Sequence, residues 1–334
     1  MNIADYKGIW IFAEQRDGKL ADVALEMLGG ALKMAKKTKE EVSAVLLGDK
    51  ITKLADELAA YGADKVYVAD SPVLKQYTNE TYAPILAALV EQHKPSIFIM
   101  GGTSLGMDLA PRVAAKAGTG LSAHAVDVDI DKNGHMVAFI PSFGGSVMAQ
   151  ITCDKRCPQM STIPAGFLPK PEKQSGKKAV IEKVAVNIDQ AKLKTKVVEV
   201  FHDEPKSKPL NQAEIVICGG YGVGSKENWK IVEQLAAKLN GSVGATRPAC
   251  DEGWASLEDQ MVGQSGKTIR PKLYIGIGIS GAMHHLIGIK DSKVIVAINA
   301  DEKAPIAAAS DYVAVGDYKQ IVPALMQELA TAKK

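Results

Sequence analysis

One glycine-interrupted stretch near the end of the chain has residue types and spacing that suit a phosphate-bearing ligand. An apolar run at Leu273–Ile277 predicts a buried strand. Three glycines with G-x-G-x-x-G spacing interrupt it, namely Gly276, Gly278 and Gly281. Ser280 occupies a helix N-cap position, and a short helix is predicted at 282–287. The unpaired N–H groups and partial positive charge of such a helix start suit a pyrophosphate, although an ordinary turn in an α/β sheet has the same pattern.

The residues that follow this turn extend the nucleotide pattern. A second buried strand is predicted at 294–299, and Asp301 lies about twenty residues beyond the turn, where dinucleotide folds place an acid for the ribose. An NAD-dependent dehydrogenase and a non-catalytic module that holds AMP or ATP are therefore both compatible with the stretch. The dehydrogenase is disfavoured because the first half of the chain offers no catalytic acid–base pair.

The elements around this stretch predict a parallel sheet that gathers polar residues at one edge. Apolar runs in the second half of the chain predict strands at 214–218, 242–245, 273–277, 294–299 and 312–315. Helices are predicted from Ser225 and at 318–330. The carboxyl ends of parallel strands share one edge, where such folds bind ligands. The polar residues predicted at that edge are Arg247, Ser265, His285, Asn299 and Asp317.

The first half of the chain shows the same alternation of strands and helices. Strands are predicted at 8–13, 42–47, 65–68 and 96–100, and helices at 22–37, 51–61, 82–91 and 107–116. This alternation predicts a doubly wound α/β domain with a mostly parallel sheet. A glycine turn at 101–104 is interpreted as structural, with a nucleotide site as the alternative. Beyond residue 125, the segments 136–141, 146–152 and 160–163 predict hairpins, expected as an antiparallel edge of the same sheet.

The remaining signals concern domain boundaries and the function classes that composition disfavours. Two more strands are predicted at 180–186 and 193–200, and the polar segment 204–212 is predicted to link domains at 1–203 and 213–334. A net charge of +2 gives no reason to expect nucleic acid as a partner, and no apolar run is long enough for membrane insertion. The N-terminal residues have no signal or transit character, so a cytoplasmic location is expected. The four cysteines complete neither a disulfide framework nor a metal site.

The motifs of the second half, taken together, resemble the alpha subunit of the electron transfer flavoproteins. The match is carried by Tyr274, Ile279, Ser280, Gly281, Ala282, His285, Gly288 and the Ala297-Ile-Asn299 strand end. The resemblance implies FAD in the second domain, which would be Rossmann-like, and a heterodimer with a beta subunit that has its own AMP or FAD. It further implies relay of single electrons between flavoprotein dehydrogenases, such as the acyl-CoA dehydrogenases of fatty acid beta-oxidation, and an acceptor, through an anionic flavin semiquinone.

The resemblance also implies a set of cofactor-binding residues and no catalytic residue. Arg247 is expected beside the isoalloxazine, Ser265 as a donor to N5, and His285 as a donor to the O2 carbonyl. Ser280, Gly281 and Ala282 are expected to offer main-chain donors to the pyrophosphate or ribityl chain. Asn299 and Asp317 are assigned to ribose or adenine, and Thr246 and Gln264 to phosphate and ribityl. The predicted set is completed by Gly222, Gln260, Val262, Gly263, Gly278 and Ile279.

Three positions depart from the family pattern. His284 stands where Gln is common, Tyr221 where the first glycine turn commonly carries Arg, and Ser265 where many members have Thr. Because adjacent residues on a helix point about 100° apart, only one of His284 and His285 can face the flavin, and the match favours His285. An electron-bifurcating flavoprotein that uses NADH and ferredoxin stays open as the alternative within this family.

Overall fold

The computed structural model describes residues 3–142, 147–174, 176–201 and 209–331, which form two compact units. Unit 1 comprises residues 1–201 and unit 2 comprises residues 202–334. Much of the predicted linker, 204–208, lies outside the described residues. Its last part, Leu210–Gln212, is a short 3-10 turn whose Leu210 is buried in the core of unit 2.

Unit 1 is an α/β unit, and all neighbouring strands of its main sheet run parallel to each other. Its strands are β1 (Ile9–Phe12), β2 (Gln15–Arg16), β3 (Lys19–Leu20), β4 (Val42–Gly48), β5 (Lys65–Asp70), β6 (Ile97–Gly101), β7 (Leu121–Ser122), β8 (Asp127–Ile130), β9 (Met136–Ser142), β10 (Val147–Thr152), β11 (Gln159–Ile163) and β12 (Val180–Lys183). Its helices are α1 (Asp22–Thr38), α2 (Leu54–Ala60), α3 (Asn79–His93) and α4 (Ser104–Ala117). The seven-stranded sheet runs β12-β5-β4-β1-β6-β11-β7, with an apolar core on each face.

The β-rich extension of unit 1 differs from the predicted antiparallel edge. Strands β8, β9 and β10 form a separate three-stranded antiparallel sheet. Strand β11 instead joins the main sheet, parallel to β6. The sequence does not distinguish these outcomes, because an apolar run has the same appearance in a hairpin and in a parallel sheet.

The strand predicted at 193–200 is wrong, and the one predicted at 180–186 ends at Lys183. A 3-10 turn covers Gln190–Lys192, and the chain beyond it pairs with no strand among the described residues. The carboxylate of Glu80 accepts hydrogen bonds from the backbone N–H groups of Lys194 and Thr195, which a sheet would otherwise use. The alternating apolar pattern here therefore does not correspond to a buried sheet face.

Unit 2 is a five-stranded parallel sheet with helices on both faces. Its strands are β13 (Ile215–Gly219), β14 (Ser242–Ala245), β15 (Leu273–Ile277), β16 (Ile295–Asn299) and β17 (Tyr312–Val315). Its helices are α5 (Lys226–Lys238), α6 (Arg247–Asp251), α7 (Met283–Ile289), α8 (Pro305–Ala308) and α9 (Tyr318–Thr331). The order β14-β13-β15-β16-β17 brings the carboxyl ends of all five strands to one edge. Together with unit 1, this confirms the prediction of two doubly wound α/β domains.

The two faces of the unit 2 sheet bury different side chains. Ile217, Ile275 and Ile277 pack with α5 and α9 on one face. Val216, Cys218 and Tyr274 pack with α7 on the other face. This alternation follows from the period of two along a strand, and it places Tyr274 and Cys218 beneath the helix that carries the two histidines. No helix among the described residues is long and apolar enough to cross a membrane.

Candidate functional site

A large cavity of about 1100 Å³ lies at the carboxyl edge of the unit 2 sheet. Loops that follow β13, β14, β15, β16 and β17 all contribute to its wall. The predicted residues that line it are Gly222, Thr246, Arg247, Val262, Gly263, Gln264, Ser265, Gly278, Ile279, Ser280, Gly281, Ala282, His285, Asn299 and Asp317. The fold thus brings together, at one edge of the unit 2 sheet, nearly every residue that is predicted to bind the cofactor.

Gln260 is the exception among the predicted residues, because it does not line this cavity. Its side-chain oxygen accepts the backbone N–H of Ser256 at 2.9 Å, and its side-chain nitrogen donates to the carbonyl of Val243 at 3.4 Å. Its backbone pairs with Ala245 at 2.8 Å. The contacts of Gln260 therefore hold the loop before Val262 against the sheet, and its side chain lies outside the cavity lining.

The glycine turns after β13 and β15 approach each other so closely that side chains would not fit between them. Gly222 donates its N–H to the carbonyl of Gly278 at 3.0 Å, and a Cβ on Gly222 would lie 2.8 Å from that oxygen. Gly281 has φ +85°, and a Cβ there would lie 2.2 Å from the backbone nitrogen of Ile306. These glycines are required by backbone packing around the pocket, whatever ligand it holds.

The start of α7 differs from the prediction. The N-cap is Ala282 and not Ser280, and the helix runs Met283–Ile289. The backbone carbonyl of Ser280 instead accepts the N–H of Ile306 at 3.1 Å, which joins this turn to α8. The reason is the positive φ of Gly281, which moves the helix cap two residues along the chain and leaves Ser280 in the pocket wall.

Thr246 carries a buried hydroxyl without a hydrogen-bond partner in the described structure. The residue is 9% exposed, lines the cavity and precedes α6 as its N-cap, yet its side chain caps no backbone N–H. A buried hydroxyl without a partner costs roughly 1–3 kcal/mol. A polar ligand in the cavity would remove this cost, so the residue fits a ligand with hydrogen-bonding oxygens or nitrogens.

Arg247 and Ser265 lie at the exposed part of the cavity wall. The Arg247 side chain is 69% exposed, and its Nε lies 3.7 Å from an Asp251 carboxylate oxygen one helical turn later. An exposed pair at this distance contributes little to stability. The guanidinium is therefore available as a positive charge for a planar or anionic ligand.

The ring of His285 has a protein partner at each nitrogen. Nδ1 lies 3.0 Å from the carbonyl oxygen of Val262, and Nε2 lies 2.7 Å from the hydroxyl of Tyr274. Burial lowers the pKa of His285 to about 4, against the opposite effect of the Val262 carbonyl. The predicted donation to a flavin carbonyl would use Nε2, which in this arrangement is paired with the Tyr274 hydroxyl.

His284 faces solvent and is paired with the loop on the other side of the cavity. Its Nδ1 lies 2.7 Å from the side-chain oxygen of Gln264, so Nδ1 is the donor of that bond. Its backbone carbonyl accepts the N–H of Gln264 at 2.7 Å. This double contact holds the loop at 262–266 against α7, and His284 lines the cavity.

The acidic and amide residues at the far strand ends also hold backbone. Asn299 donates to the carbonyl of Ile279 at 2.7 Å and accepts the N–H of Asp301 at 3.0 Å. Asp317 accepts the N–H of Lys319 at 2.8 Å and so caps α9. Asp301, which also lines the cavity, accepts the N–H of Lys303 at 2.9 Å. Asn299, Asp301 and Asp317 therefore place polar side chains along this end of the cavity.

Several cavity residues were missed from the sequence, among them Met261, Pro305 and Tyr318. Tyr318 donates its hydroxyl to the carbonyl of Val223 at 2.7 Å. Tyr221, which departs from the family pattern, is exposed in the wall and stacks on Trp254 with ring centroids 5.8 Å apart. Met261 and Tyr318 adjoin predicted residues in the chain, whereas Pro305 lies six residues beyond Asn299 and reaches the cavity through α8.

Comparison with known proteins identifies two family models on the chain. A model described as "Electron transfer flavoprotein domain" matches residues 9–189, and one described as "Electron transfer flavoprotein FAD-binding domain" matches residues 209–290. The second match covers the loops that form much of the cavity.

Full-length relatives carry related names. The chain is 43% identical to "Electron transfer flavoprotein subunit alpha" of Thermoanaerobacterium thermosaccharolyticum, over 98% of this chain and 99% of that protein. It is 44% identical to "Protein FixB" of Clostridium saccharobutylicum, over 98% of each chain. It is 37% identical to "Acryloyl-CoA reductase electron transfer subunit beta" of Anaerotignum propionicum, over 99% of this chain and 98% of that protein.

Proposed function

Because the chain belongs to the family of electron transfer flavoprotein alpha subunits, we propose that it binds FAD in the unit 2 cavity and relays single electrons. The donors proposed are flavoprotein dehydrogenases, such as acyl-CoA dehydrogenases. The redox chemistry itself, acceptance and release of one electron at a time, is supplied by the flavin. Membership of the family supports electron transfer and flavin binding. FAD as the flavin, its position in this cavity, single-electron relay and the identity of the donor are proposed here.

The observation that carries the proposal is the cavity with the unpartnered Thr246 hydroxyl in its wall. The cavity has the size expected for a large cofactor, and its wall is built from the residues that the family resemblance assigns to FAD. In this proposal the Thr246 hydroxyl and the backbone around Gly281 and Ala282 hold polar groups of the cofactor. Asn299 and Asp317 hold its ribose or adenine end.

The electrostatic part of the proposal concerns Arg247, which lines the cavity. A flavin that accepts one electron without a proton gains negative charge. A fixed positive charge lowers the energy of that anionic form, and the effect grows as water is excluded. Arg247 keeps its charge at any relevant pH, so we assign it this role.

We further propose a beta subunit as the heterodimer partner, bound to unit 1. Strand β10 supports this, because apolar side chains on it are exposed. Val147 and Met148 are each 49% exposed, and Ile151 is 41% exposed. Val147 and Ile151 lie on the same face of this edge strand, and neighbouring exposed apolar side chains are typical of a surface that a partner covers.

The experiment is purification of the chain together with its beta subunit, followed by FAD quantification and reduction by a reduced acyl-CoA dehydrogenase. The electron carrier predicts a yellow protein that accumulates a red anionic flavin radical during stepwise reduction. Two FAD per heterodimer together with NADH-driven ferredoxin reduction would instead establish the bifurcating alternative. A colourless heterodimer that takes up no added FAD would refute the proposal.

A further inference from the structure

Three aromatic rings form a continuous series of contacts that begins in the cavity wall of unit 2. Tyr221, in the 3-10 turn after β13, lines the cavity and is 60% exposed. Its ring is stacked on that of Trp254, with centroids 5.8 Å apart and planes 13° from parallel. The ring of Trp254 lies 6.1 Å from that of Trp229, measured between centroids, at an angle of 49°. Of these three rings, only Tyr221 lines the cavity.

Packing around Trp254 holds the stacked pair in place. Trp229, on α5, is 2% exposed and belongs to the core on the sheet face that α5 and α9 cover. Gly219, at the end of β13, leaves room for it, because a Cβ there would overlap the Trp229 ring. The backbone N–H of Trp254 donates to the carbonyl of Ala249 at 3.1 Å. The position of Trp254 behind Tyr221 is therefore set by the core of unit 2.

The chemistry of the two stacked rings suits them to give up an electron. Indole and phenol are among the side chains that are most readily oxidised. A positive charge left on one ring is stabilised by the face of the ring stacked on it. Trp229 is a poor place for that charge, since it lies in an apolar core where an unpaired charge is costly. The charge therefore stays on Tyr221 and on Trp254, which is only partly buried.

The strand order places Tyr221 at the flavin end of the proposed cofactor. Its turn follows β13, and Arg247, which is assigned to the isoalloxazine, follows the neighbouring strand β14. Asn299 and Asp317, which are assigned to ribose or adenine, lie at the ends of β16 and β17 on the other side of the sheet. Tyr318, the other tyrosine of the cavity wall, also follows β17. Tyr221 is therefore the cavity tyrosine that shares the flavin end.

We propose that the Tyr221–Trp254 stack donates an electron to the bound flavin after the flavin absorbs light, and so quenches its excited state. The inference rests on the proposed function, which supplies the flavin. Absorption of blue light makes a flavin a much stronger oxidant than it is in its ground state. One electron passes from the stack to the flavin, so the stack is oxidised by one electron and the flavin is reduced by one. The phenol O–H bond of Tyr221 breaks, and its proton passes to water.

Return of the electron and of a proton restores both partners, so the absorbed energy is released without net chemistry. The function of the stack is then protection, since an excited flavin that persists transfers its energy to dissolved oxygen. Methionine side chains near the cavity are targets of the oxygen species that form, because a thioether is readily converted to a sulfoxide. Met261 lines the cavity, and Met283 begins α7 with 63% of its surface exposed.

The test is time-resolved flavin fluorescence of the FAD-loaded heterodimer, in the wild type and in variants. Phenylalanine keeps an aromatic ring but resists oxidation, so Tyr221→Phe and Trp254→Phe each remove one donor. Each variant should lengthen the mean lifetime of the excited flavin, and the double variant should lengthen it several-fold. Transient absorption of the wild type should show an oxidised tyrosine or tryptophan together with one-electron-reduced flavin.

Two further measurements separate the stack from other aromatic groups. Tyr318→Phe is the matched control, because Tyr318 also lines the cavity but lies outside the stack, and it should keep the short wild-type lifetime. Under blue light in air, mass spectrometry should find several-fold more sulfoxide at Met261 and Met283 in the double variant than in the wild type. Equal amounts would overturn the protective role.

A short lifetime that persists in the double variant, or that only Tyr318→Phe removes, would overturn the inference. A wild-type lifetime as long as that of the double variant would also overturn it. Where Trp254→Phe does not fold, Tyr221→Phe decides alone, since its exposed side chain is not part of the core. FAD absorbance is measured first in every sample. Bound FAD with an unaltered lifetime leaves the proposed function standing, whereas failure to bind FAD would refute both.

Discussion

Replacement of Thr246 by valine should have opposite effects on the stability of the cofactor-free chain and on its affinity for FAD. The hydroxyl of Thr246 is buried, lines the cavity and has no partner in the described structure. Valine has nearly the same shape and removes the polar group. The substitution therefore separates a ligand contact from a structural hydrogen bond, because there is no internal hydrogen bond to lose.

The magnitudes follow from this environment. A buried hydroxyl without a partner costs about 1–3 kcal/mol, so the free energy of unfolding of cofactor-free Thr246→Val should stay unchanged or rise by up to about 2 kcal/mol. In the complex, the variant leaves one polar group of the cofactor unpaired, which costs about 1–3 kcal/mol. The dissociation constant for FAD should therefore rise about 5- to 150-fold. Thr246→Ser keeps the hydroxyl and should keep most of the affinity.

The assay combines urea unfolding of the cofactor-free protein with FAD titration followed by flavin fluorescence. Thr81→Val in unit 1 is the matched control, because Thr81 is also buried but donates to the carbonyl of Thr78 at 3.0 Å. It should lose about 1 kcal/mol of stability and leave FAD affinity unchanged. The reasoning is refuted if Thr246→Val destabilises the cofactor-free chain as Thr81→Val does, or if it binds FAD as tightly as the wild type.

Three further substitutions test other parts of the site. Arg247→Ala should lower the potential of the first reduction by roughly tens of millivolts, because it removes a solvent-screened positive charge; an unchanged redox titration would remove Arg247 from the account. Gly281→Ala should destabilise unit 2 by about 2–5 kcal/mol in urea unfolding, since its Cβ would meet backbone at 2.2 Å. Gly134→Ala, with a similar φ of +84° and open space around it, should cost only about 1–2 kcal/mol, and equal losses would contradict the packing argument. Gln260→Ala should leave the FAD dissociation constant within about twofold, because its side chain bonds to loop backbone outside the cavity; a large loss of affinity would contradict that assignment.

The sequence predicts the unit 2 sheet well because its signals are local. Strands at Leu273–Ile277 and Ser242–Ala245 follow directly from short apolar runs bounded by glycine or polar residues. The gathering of Thr246, Arg247 and Asn299 at one edge then follows from parallel topology. These predictions need no knowledge of which side chains contact each other.

Other features of the site depend on contacts between distant parts of the chain, which the sequence does not indicate. The ring of His285 is oriented by Tyr274 and by Val262, which are 11 and 23 residues away. Gln260 has a side chain of a type that often contacts a ligand, but backbone groups of Ser256 and Val243 set its orientation. Nothing in the local pattern indicates which of several available partners an amide or an imidazole takes.

The strand predicted at 193–200 failed for a related reason. Its alternating apolar residues satisfy the pattern of a half-buried strand, yet Val198 is 92% exposed. A strand also needs backbone partners, and the N–H groups of Lys194 and Thr195 are instead bonded to the carboxylate of Glu80. An alternating sequence pattern indicates which face of a strand can be buried. It does not indicate whether a neighbouring strand is available for pairing.

The most direct test of the central claim is a crystal structure of the heterodimer with FAD bound. We expect the cofactor in the unit 2 cavity, with a polar atom of FAD within hydrogen-bond distance of the Thr246 hydroxyl and with Arg247 beside the flavin ring. FAD bound elsewhere in the heterodimer, or a Thr246 hydroxyl that still has no partner in the complex, would contradict it.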